Sequence, residues 1–334
     1  MLNAGVIGMG IGEKHANAFQ NHGNVNLKKV CDFDYDKLNE LKIGFPNVTM
    51  ETKSRSILED DDIDIVSIAS YDNFHVSQTI MAFENGKHVM SEKPLCLSHS
   101  EMLQIYEAQQ KNNNTKLSSN LVLRSNSRFK KIKKDISAGK FGEVYYLEGD
   151  YLWGRQSKLF GWRAKMDYYS IILGAAIHMI DLIMWLMDSK PISVQATGNN
   201  IPNKNTNLKF NSFAVLTLKF ENGAIAKITG NGGCVHPHFH DLKIFGTQKT
   251  AISNFSEAYY LQSNEGNFEQ ETISEPYPEK EARQKLIHSF VDSILDPSIT
   301  PVVPQQDVYD VMSVCFAAEE AMITNKSTII KYLN

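Results

Sequence analysis

The chain opens with Ala4-Gly5-Val6-Ile7-Gly8-Met9-Gly10-Ile11-Gly12-Glu13-Lys14-His15, the stretch that decides the fold. It predicts a short apolar strand, a glycine-rich turn, and a helix from His15 to Gln20. Glycine allows a close backbone approach to a ligand, and a helix N-terminus attracts phosphate through its exposed N–H groups. The stretch therefore predicts the start of a dinucleotide-binding βαβ unit. Its candidate cofactor residues are Gly8, Gly10, Ile11 and Gly12.

The glycine spacing is one residue shorter than the usual G-x-G-x-x-G, and glycine triplets also form ordinary turns. Residues 26–30 predict a second strand, and Asp32 stands just past its end. An acidic residue about twenty positions after the turn accepts a hydrogen bond from a ribose 2′-hydroxyl. Its carboxylate repels the 2′-phosphate of NADP, and the next residue is Phe33 rather than an arginine. The sequence therefore predicts NAD, with NADP less favoured.

Length and composition limit the class of protein. A chain of 334 residues with 42% hydrophobic content predicts two domains with a substantial core. The net charge of −4 gives no reason to expect nucleic acid or a membrane as partner. The four cysteines are far apart and no signal peptide is visible, so we expect a cytoplasmic protein. The apolar segment 171–187 contains His178 and Asp181, which favours a buried helix over a membrane span.

The pattern of predicted elements changes near residue 121. Residues 1–121 alternate strands and helices, which predicts a doubly wound parallel α/β sheet, an NAD-binding Rossmann domain. Residues 122–334 carry alternating segments and an Asn222-Gly223 turn, which predict an α+β domain with a large, mostly antiparallel open sheet. We expect this domain to bind substrate. One face of its sheet is expected to be solvated or to form the subunit interface of a homo-oligomer, which would be a dimer or a tetramer.

Ligands of open α/β sheets bind beyond the carboxyl ends of the strands. Three predicted strand ends therefore matter, and beyond the glycine turn they add Ser70, His75, Glu92 and Lys93 as candidate cofactor residues. Near a bound, positively charged nicotinamide, a desolvated Lys93 loses proton affinity and can exchange a proton with a substrate hydroxyl. Pro94 restricts the backbone there, and a cis Lys93–Pro94 bond would aim the side chain. A surface lysine before a turn proline is the alternative.

Motifs along nearly the whole chain resemble the Gfo/Idh/MocA oxidoreductases, a family that includes glucose–fructose oxidoreductase and inositol dehydrogenase. Besides the glycine turn they are Ser70–His75, Gly86-Lys87-His88-Val89, Glu92-Lys93-Pro94, 120–124, 139–144, Gly161-Trp162-Arg163, His178-x-x-Asp181 and Phe245-Gly246-Thr247. The resemblance implies a nicotinamide cofactor and hydride exchange with the carbinol carbon of a sugar, polyol or sugar derivative. It implies that Lys93 contacts the substrate hydroxyl and that His178 transfers its proton. Without it, His178 also fits a hydrogen-bonded core histidine.

The sequence departs from this family at Gly174, where many members carry an aspartate four residues before the histidine. Either His178 acts with Lys93 alone, or another group takes the place of the aspartate. The nearest candidates are Asp167, Tyr168 and Tyr169. Gly174 would also leave space for a bulkier substrate. Asp181, three residues after His178, either orients it or is a buried structural acceptor.

The remaining candidate substrate residues are Arg124, Trp162, Arg163 and Tyr168. For Arg124, Trp162 and Arg163, a packing role is the alternative. His236, His238 and His240 alternate along a segment that, if extended, directs all three to one side. No carboxylate or cysteine pattern accompanies them, so we predict a pocket wall or a surface cluster rather than a metal site.

The leading hypothesis is an NAD-dependent sugar or polyol dehydrogenase, or a ketoreductase working in reverse, with Lys93 and His178 handling the proton. A non-catalytic nicotinamide-binding sensor is a second hypothesis, which Gly174 keeps open. A reductase of an imine or another unsaturated substrate is the third.

Overall fold

The computed structural model describes residues 1–264 and 266–333. They form two compact units, Met1–Ser125 with Lys280–Tyr309, and Asn126–Glu279 with the residues from Asp310 on. The sequence predicts one domain boundary, after residue 121. In the structure, Lys280–Tyr309 groups with the first unit instead of the second. This segment is held there by hydrogen bonds of His288 to the Ala18 carbonyl (2.8 Å) and of His22 to Asp292 (3.0 Å). These long-range pairs leave no local pattern in the sequence.

The strands are β1 Leu2–Ile7, β2 Val25–Cys31, β3 Thr49–Glu51, β4 Ile65–Ile68, β5 His88–Ser91, β6 Leu117–Ser119, β7 Val144–Leu152, β8 Pro191–Asn199, β9 Phe213–Phe220, β10 Ile225–Asn231, β11 Phe239–Gly246, β12 Lys249–Ser253, β13 Ala258–Asn264, β14 Asn267–Thr272 and β15 Thr328–Ile329.

The α-helices are α1 Gly12–Gln20, α2 Tyr35–Leu41, α3 Arg55–Leu58, α4 His75–Glu84, α5 His99–Lys111, α6 Ser127–Ser137, α7 Gln156–Leu159, α8 Ile177–Met187, α9 Ala282–Leu295 and α10 Gln305–Thr324. Short 3-10 segments cover Asp72–Phe74, Val122–Ser125, Trp162–Lys165 and Ile201–Asn203, and a π-helical turn, Ile172–Ala176, precedes α8. Among the described residues, no helix is long and apolar enough to cross a membrane.

The first unit contains a parallel sheet with strand order β3-β2-β1-β4-β5-β6, six strands within the described residues. This is the predicted doubly wound topology. Every residue of β4 is buried, as a strand covered on both faces requires. A capping box starts α5, with the Ser98 and Glu101 side chains bonding each other's backbone N–H groups.

The second unit contains a sheet with strand order β14-β13-β12-β11-β7-β10-β9-β8-β15, nine strands in the part of the chain that the structure describes. Its described neighbours pair antiparallel except β7 and β10, which confirms the predicted open, mostly antiparallel sheet. The Asn222-Gly223 turn joins β9 to β10 as predicted, with Gly223 at a φ of +88°. The sequence analysis missed β13 and β14. The residues of β14 are all exposed, and their sequence has little apolar alternation.

Helix α8 lies on one face of this sheet. A Cβ added to Gly149 of β7 would lie 2.9 Å from the Met179 side chain and 3.0 Å from that of Ile183, so glycine permits the close helix–strand contact. The predicted helix 171–187 is correct in extent, but it is not α-helical throughout. Its first turn, Ile172–Ala176, is π-helical, and such turns occur frequently at functional sites.

Candidate functional site

The glycine turn connects β1 to α1. Gly8 has a φ of +86°, and a Cβ there would lie 2.4 Å from the Ala69 carbonyl oxygen, so only glycine fits. Gly10 is exposed, with open space around its Cβ position. Helix α1 begins at Gly12, earlier than the predicted His15, and no side chain caps its first N–H groups. These groups, with the positive end of the helix dipole beside open space, suit a phosphate.

Asp32 lies directly after β2, and its side chain is almost entirely buried. Its carboxylate accepts hydrogen bonds from the backbone N–H groups of Met9 (2.7 Å) and Asp34 (3.1 Å). The ammonium group of Lys37 lies 2.9 Å from the same carboxylate. The sequence analysis missed Lys37, which α2 brings back toward the end of β2. The glycine turn, the start of α1 and this fixed carboxylate together fit the phosphates and ribose of NAD.

The aromatic rings of Phe33 and Tyr71 follow β2 and β4 and lie 5.8 Å apart. Phe33 is 74% exposed and Tyr71 36% exposed. The sequence analysis considered Phe33 only as a residue that is not arginine. Exposed rings beside Asp32 have the shape and polarity to contact a purine.

The candidates Ser70 and His75 belong to one hydrogen-bonded group at the end of β4. His75 is fully buried, and its ring nitrogens lie 2.7 Å from the Pro94 carbonyl oxygen and 3.1 Å from that of Ser70. The Ser70 hydroxyl donates to the side chain of Gln78 (2.7 Å). His75 therefore ties the end of β4 to the segment after β5, and with no exposed atom it acts by holding these backbones.

Lys93 follows β5, and the Lys93–Pro94 peptide is cis, as the sequence analysis considered. Its neighbour Glu92 accepts hydrogen bonds from Asn120 (2.5 Å) and from the Lys93 backbone N–H (3.3 Å). His15 bridges Glu92 (3.2 Å) and Ser67 (2.8 Å) through its two ring nitrogens. Burial favours the neutral acid, but the hydrogen bond and charge of His15 lower the pKa of Glu92 to about 2. A buried carboxylate thus stands directly beside Lys93; the sequence analysis missed His15 and Asn120.

Arg124 lies in the first unit and is 3% exposed. Its guanidinium group forms an ion pair with Asp307, whose side chain is partly exposed. This contact corresponds to the packing alternative that the sequence left open. A direct substrate contact for Arg124 stays a prediction.

His178 lies in the first turn of α8 in the second unit and is 7% exposed. Its ring stacks on that of Tyr151, with centroids 5.7 Å apart and planes 8° from parallel. Gly174 lies in the preceding π-helical turn, where a Cβ would be 2.4 Å from the hydroxyl oxygen of Tyr169. The prediction that Gly174 leaves space for a bulkier substrate is therefore wrong, because the Tyr169 ring occupies that space.

Tyr168 is half exposed, and its hydroxyl donates to the Glu319 carboxylate (3.0 Å). The Ser170 hydroxyl also bonds Glu319 and accepts the N–H groups of Ile172 and Leu173, so this group holds the start of the π-helical turn. Burial and the neighbouring carboxylate raise the pKa of Tyr168, and the phenol stays protonated. Its role as a substrate residue remains a prediction.

Trp162 and Arg163 lie in one 3-10 turn, and both are half-buried. The Arg163 guanidinium carbon is 4.2 Å from the centroid of the Trp162 ring and 5.2 Å from that of Trp153. The cation therefore lies against two indole rings, a geometry that holds its charge in place. Substrate contact by either residue stays a prediction.

Two of the three alternating histidines belong to what we call the ring cluster: Tyr151, His178, His238, His240 and Tyr277. The His238 and His240 centroids are 5.1 Å apart, and His240 lies 5.9 Å from His178. His236 instead contacts Phe255 (5.6 Å). The prediction that all three share one side is wrong, because β11 begins only at Phe239 and Pro237 interrupts the extended segment. The described residues contain no group of three or more side chains placed to hold a metal ion.

The glycine turn, the fixed Asp32 and the polar strand ends together define a nicotinamide dinucleotide-dependent oxidoreductase. Comparison with known proteins gives the family. Residues 2–120 match the NAD-binding Rossmann fold of the GFO/IDH/MocA oxidoreductase family, and residues 129–252 match the GFO/IDH/MocA C-terminal domain. The chain belongs to this Gfo/Idh/MocA family and binds NAD.

Relatives include the oxidoreductase YrbE of Bacillus subtilis, 26% identical over 79% of this chain and 77% of that protein. Myo-inositol 2-dehydrogenase of Thermotoga maritima is 25% identical over 74% of this chain and 73% of that protein. A levoglucosan dehydrogenase in complex with NADH superposes with a TM-score of 0.88 at 21% identity, covering 99% of this chain and 100% of that one. Myo-inositol 2-dehydrogenase from Lactobacillus plantarum gives 0.84 at 23% identity, with 99% of each chain covered. The two structural likenesses establish the fold.

Proposed function

We propose that the chain is an NAD-dependent dehydrogenase of a sugar, polyol or sugar derivative, able to reduce the corresponding ketone in reverse. The activities for which its relatives are named, inositol 2-dehydrogenase, levoglucosan dehydrogenase and D-glucoside 3-dehydrogenase, support this substrate class. The observation that carries the proposal is the position of Lys93. It follows β5, whose register with β4 and β1 brings the three strand ends to one edge of the sheet.

Lys93 assists the transfer of the hydroxyl proton by holding the substrate oxygen. NAD, which the glycine turn and Asp32 would hold, would supply the acceptor for the hydride of the carbinol carbon. The Lys93 ammonium group hydrogen-bonds the substrate oxygen and stabilises the negative charge that grows there as the O–H bond breaks. The buried carboxylate of Glu92, which accepts the Lys93 backbone N–H, fixes the start of this segment.

His178 accepts the hydroxyl proton and returns it in the reverse reaction. An imidazole can both accept and donate a proton, which suits both directions. Its stacking on Tyr151 restricts the ring, so the proton-accepting nitrogen keeps a defined direction. The family aspartate is absent at Gly174, and Tyr169 is the group nearest to that position.

The remaining contacts follow the same scheme. The cofactor's phosphates and ribose are bound by Gly8, Gly10, Ile11, Gly12 and Asp32. The neighbouring strand ends are shaped by Ser70, His75 and Glu92. We also propose that four residues contact the substrate: Arg124, Trp162, Arg163 and Tyr168. We also keep the proposals of a cytoplasmic location and of a homo-oligomer formed through the C-terminal sheet.

The test is turnover with NAD and a panel of polyols, anhydrosugars and glucosides, followed by the absorbance of reduced nicotinamide. Lys93→Met is expected to lose about 10²–10⁴-fold in kcat, because it removes the ammonium group that stabilises the developing negative charge. Lys93→Arg keeps the positive charge and is expected to lose less. Lys28→Met is the matched control, because it removes a lysine whose ion pair with Asp62 is exposed. Near-normal turnover of His178→Ala would remove His178 from the mechanism. NAD binding without turnover of any substrate would favour the sensor hypothesis.

A further inference from the structure

A cavity of about 350 Å³ lies in the second unit, between the turn that joins β12 to β13, strand β14 and the start of α6. Its lining includes Arg128, Phe255, Glu257, Gln270 and Tyr277. Phe255 is 54% exposed, so the cavity reaches the protein surface. Its volume is in the range of pockets that bind small molecules.

Arg128 is the cationic group of this cavity. Its Nε donates to the Glu275 carbonyl oxygen (2.9 Å), and its Nη1 donates to the Ser253 hydroxyl (3.1 Å). Two neutral acceptors therefore hold the guanidinium group. Because a guanidinium carries five N–H hydrogens, three of them, including both on Nη2, have no acceptor in the part of the chain that the structure describes.

Arg128 also has no paired anion. Across residues 1–264 and 266–333, no carboxylate forms an ion pair with its guanidinium group. Burial lowers the pKa of Arg128, while the nearby Tyr277 and Glu275 raise it, and a guanidinium stays protonated at neutral pH. A half-buried cation without a paired anion loses hydration without gaining a charged partner. An anion in the cavity would supply that partner.

Aromatic rings form part of the cavity wall. The guanidinium carbon of Arg128 lies 5.8 Å from the centroid of the Tyr277 ring. The Tyr277 ring also contacts Phe129 (4.9 Å) and Phe239 (5.0 Å), so packing on both sides holds it in place. The Phe255 ring contacts Phe239 as well (5.7 Å). Aromatic lining with a few polar groups is typical of sites that bind a carbon skeleton.

Glu257 is an acidic residue of the lining. Its side chain is exposed, so water and salt screen its charge. It therefore weakens the attraction of an anion to Arg128 without cancelling it. Its presence favours a ligand with a single acid group over a polyanion.

We propose that this cavity binds the acid group of a small molecule, a carboxylate or a phosphate, with Arg128 as the anchor. The three remaining N–H hydrogens donate to the oxyanion, and the rings of Phe255 and Tyr277 contact the carbon skeleton. Charge-assisted hydrogen bonds are about twice as strong as neutral ones, and a planar guanidinium fits both oxyanions. The described lining contains neither Lys93 nor His178, so this is a second site and it does not depend on the proposed reaction.

The experiment is isothermal titration calorimetry of the full chain saturated with NADH, so that phosphate cannot enter the dinucleotide site. The probes are inorganic phosphate, glucose 6-phosphate and glucuronate, with glucose as the neutral match. The acids are expected to bind the wild type, and more weakly at high salt, whereas glucose gives no heat that depends on Arg128. Tighter binding of the sugar phosphate or of the sugar acid identifies the preferred oxyanion.

Arg128→Met is expected to weaken binding of the acids about 10- to 100-fold, and Arg128→Lys, which keeps the charge without the planar fork, is expected to lose less. Gln270→Glu is an independent variant, because it adds a negative charge to the lining and keeps both contacts of Arg128; it should also weaken binding. Arg155→Met is the matched control, because it removes an exposed arginine of the same unit, and it should bind as the wild type does.

Failure of the wild type to bind any of the three acids would overturn the proposal. Unchanged affinity in every folded variant of Arg128 and Gln270 would do the same. An equal loss in Arg155→Met would also reject the site, because the total charge of the protein, and not this cavity, would then set the affinity.

Discussion

Replacing Asp32 with serine should reverse the cofactor preference of this enzyme. The carboxylate that accepts a ribose hydroxyl is lost, and a hydrogen bond to a charged group contributes roughly 1.5–3 kcal/mol, or about 10- to 150-fold in NADH affinity. The same change frees the Lys37 ammonium, now 2.9 Å from Asp32, to attract a 2′-phosphate. NADPH binding should therefore strengthen as NADH binding weakens.

The assay is fluorescence titration of each variant with NADH and with NADPH. Asp32 also accepts the Met9 backbone N–H at 2.7 Å, so Asp32→Asn, which keeps an acceptor of the same shape, separates charge from support of the glycine turn. Asp32→Ser with Lys37→Met should lose the gain for NADPH. An unchanged ratio of NADH to NADPH affinity in Asp32→Ser would refute the reasoning, as would an equal gain in the double variant.

Three further outcomes follow from buried groups. The pKa of Glu92 is lowered from 4.5 to about 2, so its ionised carboxylate contributes about 3 kcal/mol to the free energy of unfolding. This contribution is complete above pH 4.5 and is lost as the pH falls toward 2. Glu92→Gln should therefore flatten this part of the acid-unfolding curve. Gly174→Ala should cost about 1–3 kcal/mol in urea unfolding through its clash with Tyr169, and Tyr169→Ala in the same chain should recover part of it; an additive double variant would contradict the contact. Lys87→Met leaves the backbone carbonyls of Asp60, part-buried, and Ile63, buried, without their ammonium donor, at about 1–3 kcal/mol for the buried one. Replacement of Lys28 in its exposed ion pair, Lys28→Met, should change stability little, and equal melting temperatures of the two variants would argue against this role of Lys87.

Local patterns predicted the first sheet well. The apolar run that became β4 and the acid after β2 each depend on neighbours in sequence, and the structure retains both. Helix α1 begins at Gly12 rather than at the predicted His15, so the last glycine of the turn is also the first residue of the helix. Helix α9 has an ordinary helical pattern, so nothing in it predicts that the segment groups with the first unit.

The candidate site was predictable where a residue's position follows from its strand. Lys93 and Asp32 are such residues, because each comes directly after a parallel strand. The partners that hold them, such as His15 for Glu92 and Lys37 for Asp32, come from other elements and depend on tertiary packing. The same applies to Tyr277, which reaches His240 from a loop 37 positions away in sequence.

The most direct test of the account follows the hydride itself. The enzyme is incubated with NAD and with each polyol of the panel carrying deuterium at its carbinol carbons, and the reduced cofactor is analysed by mass spectrometry. The account predicts reduced nicotinamide one mass unit heavier with the wild type, and a severe loss of this product with Lys93→Met and with His178→Ala. Reduced cofactor without deuterium, or full labelling in both variants, would contradict it.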